Sequence, residues 1–133
     1  MAGVFQMSEA ASIAIHGMVL LVNAKEPLNA IQIAAKTGTS RHHVAKVLQR
    51  LSKSGLLDSF RGPKGGFVLS EGAKDVTFLE LYEIIEGKIT ISKCPMEKQV
   101  CPFKLCIMEG ITNRMNTEFK KYLSEQSLNK YIH

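Results

Sequence analysis

The sequence predicts a mainly α fold, a winged helix-turn-helix with a small β-hairpin wing and a long C-terminal dimerisation helix. Three observations predict it. A short apolar segment, a glycine turn and a longer amphipathic segment succeed one another between residues 29 and 54. After Gly55 the apolar period changes from that of a helix to that of strands, on either side of the glycine-rich run RGPKGG. Further on, Ile107, Ile111, Met115, Phe119 and Tyr122 or Leu123 recur every three or four residues, a helical stripe that must be buried somewhere.

Each element has its own signals. Ser8 is the N-cap expected of a first helix running to about Val22, with Ile13, Val19 and Leu20 among the residues facing a core. Asn29 introduces the short helix AIQIAAK, whose alanines let another helix approach closely, and Thr37-Gly38-Thr39 is the turn. Ser40 caps a third helix from Arg41 to Ser54, in which Val44, Val47, Leu48 and Leu51 recur at helical spacing, and Gly55 stops it. Together these make a helix-turn-helix. LLDSF and FVLS then read as the two strands of a hairpin with a glycine-rich tip, the wing. Thr77 and Glu80 form a capping box for LELYEII, and Gly87 ends that helix. Helical character resumes from about Pro102, and its stripe suits either a two-helix dimer seam or packing back onto its own domain. The expected division is residues 1–88 as a winged helix-turn-helix DNA-binding domain and 89–133 as a cysteine-containing loop with a dimerisation helix.

The 133 residues suffice for one domain with a real core plus an appendage. Residues 1–75 carry nine Lys/Arg against five Asp/Glu, and residues 76–133 eight against seven, so the excess of positive charge is mostly N-terminal. A basic domain of this kind attracts a polyanion, nucleic acid being the usual one. The N-terminus MAGVFQMSEA has no basic leader, and the apolar stretch Ile13 to Val22 is interrupted by His16 and Gly17 and too short to span a bilayer, so a cytoplasmic protein without membrane contact is expected. All three cysteines, Cys94, Cys101 and Cys106, fall in CPMEKQVCPFKLC. An odd number in a reducing compartment points to metal or redox chemistry rather than a disulfide framework. GxSxG, P-loop and HExxH motifs are all absent, so an enzyme is not expected.

In a helix-turn-helix the N-terminal end of the second helix enters the major groove, which makes Ser40, Arg41, His42, His43 and Lys46 the candidates there. Arg41 suits guanine O6 and N7, while Lys46 and Arg50 suit phosphates. In the wing, Gly62, Gly65 and Gly66 allow a narrow tip that approaches the sugar-phosphate chain, and Arg61 and Lys64 supply charge at the scale of a minor groove. Double-stranded DNA with a partly palindromic operator is the expected partner.

The first helix with Ala14, the segment LQRLSKSGLL, the wing RGPKGGF, the following LYEIIEG and the three-cysteine loop together resemble the IscR/NsrR-type family of bacterial regulators, the Rrf-two family, over roughly residues 5 to 125. The resemblance implies a homodimeric winged-helix transcription factor whose long C-terminal helices pair, an arginine acting in the wing at Arg61, and in many members an iron-sulfur cluster on the cysteine loop.

Six residues separate Cys94 from Cys101 and four separate Cys101 from Cys106, a loop able to fold around a cluster, with Pro95 and Pro102 restricting it. If Pro102 opens the long helix, Cys101 is its N-cap and Cys106 lies a turn inside, where the helix's positive end favours thiolates. Three thiolates are one ligand short of four. Among family patterns, a histidine three residues after the last cysteine corresponds to Glu109 here, a carboxylate on the first helix to Ser12, and a histidine four residues beyond that to His16. His16 is therefore the preferred fourth ligand, from its own or the other subunit, with Glu109 and Glu9 as substitutes. Both [2Fe-2S] and [4Fe-4S] centres stay open. The expected function is a DNA-binding regulator sensing redox, iron or nitric oxide status through this cluster. The alternatives are a cluster-free regulator using thiol oxidation or zinc, and a winged-helix interaction module or electron carrier that binds no DNA.

Overall fold

The computed structural model describes residues 5–91 and 101–133. Cys94 and the first part of the cysteine segment lie outside the described residues.

Capping residues set the helix boundaries. Helix α1 (Glu9–Asn23) begins where the Ser8 hydroxyl accepts the Ala11 N–H at 3.1 Å, and it buries Ala11, Ile13, Ala14, Ile15, Met18 and Leu21. Helix α2 (Ala30–Thr37) opens on a reciprocal capping box between Asn29 and Gln32 and ends at Gly38, whose φ of 69° is left-handed. Helix α3 (Arg41–Lys53) follows at once, with the Ser40 hydroxyl accepting the His43 N–H, and it buries Val44, Val47, Leu48 and Leu51 as the periodicity predicts.

The wing is an antiparallel pair, β1 (Leu57–Phe60) and β2 (Gly66–Leu69), in the register Leu57 to Leu69 and Phe60 to Gly66. Leu28, just ahead of α2, exchanges both backbone hydrogen bonds with Phe67 and so lays a third segment against the hairpin. That contact explains Gly66. A Cβ there would stand 2.7 Å from the Leu28 carbonyl carbon and oxygen, and its φ of 153° is one that L side chains rarely adopt.

Helix α4 (Phe78–Glu86) has the predicted Thr77/Glu80 capping box and stops at Gly87. The chain then returns as helix α5 (Ile111–Glu125) and a closing 3-10 turn, Leu128–Tyr131. Phe78 N–H donates to Gln126 O and Leu128 N–H to Val76 O, which stitches this end of the chain to the start of α4. Leu123 and Leu128 therefore share one buried cluster with Met18, Leu48, Leu51 and Leu81.

The C-terminal helix departs from expectation. It begins at Ile111 rather than near Pro102, because Glu109 and Gly110 both have positive φ, 47° and 71°, and two left-handed residues in succession cannot lie inside a right-handed helix. Cys101 is not its N-cap and Cys106 lies ahead of it, not inside. Of the two alternatives for the stripe, packing back onto its own domain is seen for part of it. Phe119 packs on Phe5 and Tyr82 at centroid distances of 4.6 and 5.3 Å and Leu123 is buried, while Ile107, Ile111, Met115 and Tyr122 stay exposed.

Two glycines behave oppositely on substitution. Gly17 lies mid-helix, and an added Cβ would meet Ile33 and Leu48 at ordinary contact distances of 3.8 and 3.9 Å. Gly17→Ala is expected to raise unfolding free energy by about 0.5 to 1 kcal/mol, and Gly66→Ala to lower it by about 1 to 3 kcal/mol. Urea unfolding midpoints at constant m-value check both.

Candidate nucleic-acid interface and cysteine site

Burial of Val44, Val47, Leu48 and Leu51 fixes which face of α3 points outward. His42, Lys46 and Gln49 are exposed at spacings of four and three and form the outer line of the helix, with Arg41 and Ser40 exposed at its start. Gln49 was missed in the sequence reading. Its signal was there, since it follows Lys46 by three on the side opposite the core, and an amide is the side-chain type that suits adenine. Arg61, Gly62 and Lys64 are exposed at the wing tip, and Gly65 is half-buried at a position where a Cβ would lie 2.3 Å from the Phe60 carbonyl oxygen. The tip also exposes Phe60, an apolar surface that the strand pattern gave no reason to single out. The helix-turn-helix face and the wing thus present Arg41, Lys46, Arg61 and Lys64, and among the described residues none of them is in an ion pair with a carboxylate.

Two predicted DNA contacts point elsewhere. His43 is half-buried, and its Nδ1 lies 2.9 Å from Glu9 Oε1, the one ion-pair contact among the described residues. Arg50 donates through Nη2 to the Ile84 carbonyl at 2.9 Å, capping an open carbonyl in the last turn of α4. Both residues sit on the flank of α3 beside the core.

Among the cysteines, Cys101 and Cys106 are exposed free thiols. Residues 106–110 form a turn into α5 in which the backbone N–H of Gly110, and after it that of Met108, point at the Cys106 sulfur and hold its thiol below the ordinary range, favouring thiolate. His16 is exposed on α1 with Nδ1 2.7 Å from the Ser12 carbonyl. That oxygen can only accept, so Nδ1 is the donor there, and in the neutral ring the lone pair lies on Nε2, one of the two nitrogens through which histidine binds metals. His16 opens onto a cleft of about 590 Å³ that Glu9 and Ser12 also line. Glu9 is engaged by His43, and Glu109 holds the left-handed turn before α5. Among the described residues no three His, Cys, Asp or Glu side chains converge on one point, so His16 is not brought to Cys101 and Cys106 within one chain. No described helix is long and apolar enough to cross a membrane.

Comparison with known proteins agrees with this arrangement. An IscR transcriptional regulator from Photorhabdus laumondii is 23% identical over 114 residues, covering 86% of this chain and 70% of its own. Among solved structures, the global cysteine regulator CymR of B. subtilis superposes with a TM-score of 0.74 at 21% identity, covering 98% of this chain and all of its own. T. potens IscR superposes with a TM-score of 0.71 at 20% identity, covering 94% of this chain and 84% of its own. These likenesses establish the winged-helix fold. A family profile described as "Rrf2: Iron-dependent Transcriptional regulator" matches residues 7–133, nearly the whole chain, and with it the chain belongs to the Rrf2 family of transcriptional regulators, which are not enzymes.

Proposed function

We propose that this regulator binds a partly palindromic operator as a homodimer and takes its signal through an iron-sulfur cluster held by Cys94, Cys101 and Cys106, with His16 as fourth ligand. The observation that carries the proposal is the state of the described ligands. Cys101 and Cys106 are exposed and unpaired, Cys106 is held toward thiolate by backbone N–H groups, and His16 is exposed with Nδ1 engaged by the Ser12 carbonyl, which leaves Nε2 for a ligand. Such donors fit a cluster, which needs deprotonated soft ligands. The bound cluster would supply a redox-active group whose charge changes with its state. His16 stands apart from the two thiols within one chain, which favours its donation from the partner subunit of the dimer.

Arg41, His42 and Lys46 enter the major groove in this reading, and Arg61, Gly62, Lys64 and Gly65 follow the adjacent sugar-phosphate chain. The seam of the dimer is the exposed edge of α5. Ile111, Met115 and Tyr122 fall on one line beside the half-buried Phe119 and the buried Leu123, and an apolar line of this kind on the surface is a surface for another protein. The linkage follows from the layout, because the cysteine segment joins the end of the winged helix to the start of the seam, and a change in it alters the spacing of two recognition helices.

A second reading keeps the DNA binding and removes the iron. The exposure of Cys101 and Cys106 as free thiols favours it, and in that case they respond through thiol oxidation or bind zinc.

Anaerobically purified protein is expected to show visible charge-transfer bands with iron and acid-labile sulfide in equal amounts, and Cys106→Ser to lose both. His16→Ala should keep iron but shift the bands and shorten cluster lifetime in air. A colourless wild type after reconstitution, still bound to DNA in a thiol-dependent way, would establish the second reading instead. For the wing, Arg61→Ala is expected to weaken duplex binding and reduce the salt-dependence slope by about 0.9. For the seam, Met115→Glu should move the mass measured by light scattering from dimer to monomer while leaving helical content intact.

A further inference from the structure

The side chains that leave the DNA face of α3 do not leave it at random. Glu9, the first residue of α1, meets His43 at 2.9 Å. Arg50, seven residues along the same flank of α3, meets the Ile84 carbonyl of α4 at 2.9 Å. The Ser8 hydroxyl, at the N-cap of α1, donates to Glu86 at the end of α4. These links join α1 to α3, α3 to α4 and α4 to α1, a closed polar joint at one corner of the core. Each link alone is a partly exposed hydrogen bond of modest worth. Closed across three helices, they tie the flank of α3 to both α1 and α4, beside the apolar contacts that pack it.

We infer that Glu9 and Arg50 are positioning residues of the recognition helix, acting on DNA through its orientation rather than by touching it. This rests on the DNA-binding reading above. It reverses the ordinary expectation for both residues. A carboxylate beside a DNA-reading helix repels phosphates, so its removal ought to tighten binding, and an arginine there ought to be a phosphate contact counted in the salt dependence. As positioning residues, Glu9 is needed for selective binding, and Arg50 acts without releasing a counterion.

The test uses the full chain and a duplex library randomised over about two helical turns, from which the wild type selects its preferred sequence. Binding to the selected duplex and to a scrambled one is then followed by fluorescence anisotropy across salt concentrations. Glu9→Ala is expected to weaken the selected duplex about three- to tenfold while the scrambled one stays as it was or tightens. Glu9→Gln, which keeps an acceptor oxygen, should retain most of the affinity. Arg50→Met should weaken the selected duplex about tenfold with an unchanged salt slope. Because the links close on one another, the double variant should lose less than the product of the two. Thermal unfolding confirms that the variants, both at exposed positions, remain folded. The inference is overturned if Glu9→Ala tightens both duplexes alike, or if Arg50→Met lowers the slope by about 0.9, the signature of a lost phosphate contact. A wild type that enriches no sequence overturns the DNA-binding reading itself, before any variant is compared.

Discussion

Burial of α1 is the constraint on which the rest of the molecule depends. This helix packs against α2, α3, α4, β2 and the C-terminal turn. Met18 on α1, Leu48 and Leu51 on α3 and Leu81 on α4 are all fully buried in one cluster. A helix buried on this many sides cannot be recognised by a narrow apolar stripe, and α1 accordingly carries Ile13, Ala14, Ile15, Gly17 and Met18 nearly in succession. Its few polar residues then become informative. Ser8, Glu9, Ser12 and His16 mark the strip where α1 reaches the surface, and all four make hydrogen bonds there. One helix thus supplies the centre of the core, one side of the joint at the recognition helix and the candidate fourth ligand.

Local chemistry made most of the fold legible in advance. Ser8, Asn29, Ser40 and Thr77 cap the helices they were expected to cap, because an N-cap needs only a short side chain and the N–H groups two or three residues on. The wing tip is equally local, since Gly62 and Gly65 sit where backbone conformation or the approach of Phe60 excludes a side chain, whereas Gly66 answers to the distant Leu28. What failed was the start of α5. Ile107 continues the helical period of the stripe, yet the positive φ of Glu109 breaks the helix there, and nothing in a period reports a left-handed residue that is not glycine.

The candidate site was legible by type and less so by partner. The cysteines, the basic wing tip and the outer face of α3 were visible as residues and spacings. Their pairings were not. Glu9 and His43 are separated by 34 residues, as are Arg50 and Ile84, and a long-range hydrogen bond to a main-chain carbonyl leaves no trace in side-chain identity. An arginine on the flank of a recognition helix and an arginine on its outer face look the same in sequence. Only the packing of α4 behind α3 tells them apart.

The joint also lies beside the exit toward the cysteines. Glu83, in the last turn of α4, accepts the Ile89 N–H at 3.0 Å, so the chain leaving for the cysteine segment is held by the same turn that holds Arg50 and Ser8. Magnitudes show why that matters. A regulatory change of five- to 150-fold in DNA affinity corresponds to about 1 to 3 kcal/mol, and one hydrogen bond contributes about 1 kcal/mol net. Rearranging the apolar core would cost several times more, since truncating one buried leucine alone removes about 2 to 5 kcal/mol. Under the proposed mechanism, a signal carried by the cysteine segment would need to disturb only one or two polar links to loosen the flank of α3, while Leu48, Leu51 and Leu81 keep the helix packed. The polar corner is weak enough to be switched and lies against α3, whereas the core beside it holds the same helix but is too costly to rearrange.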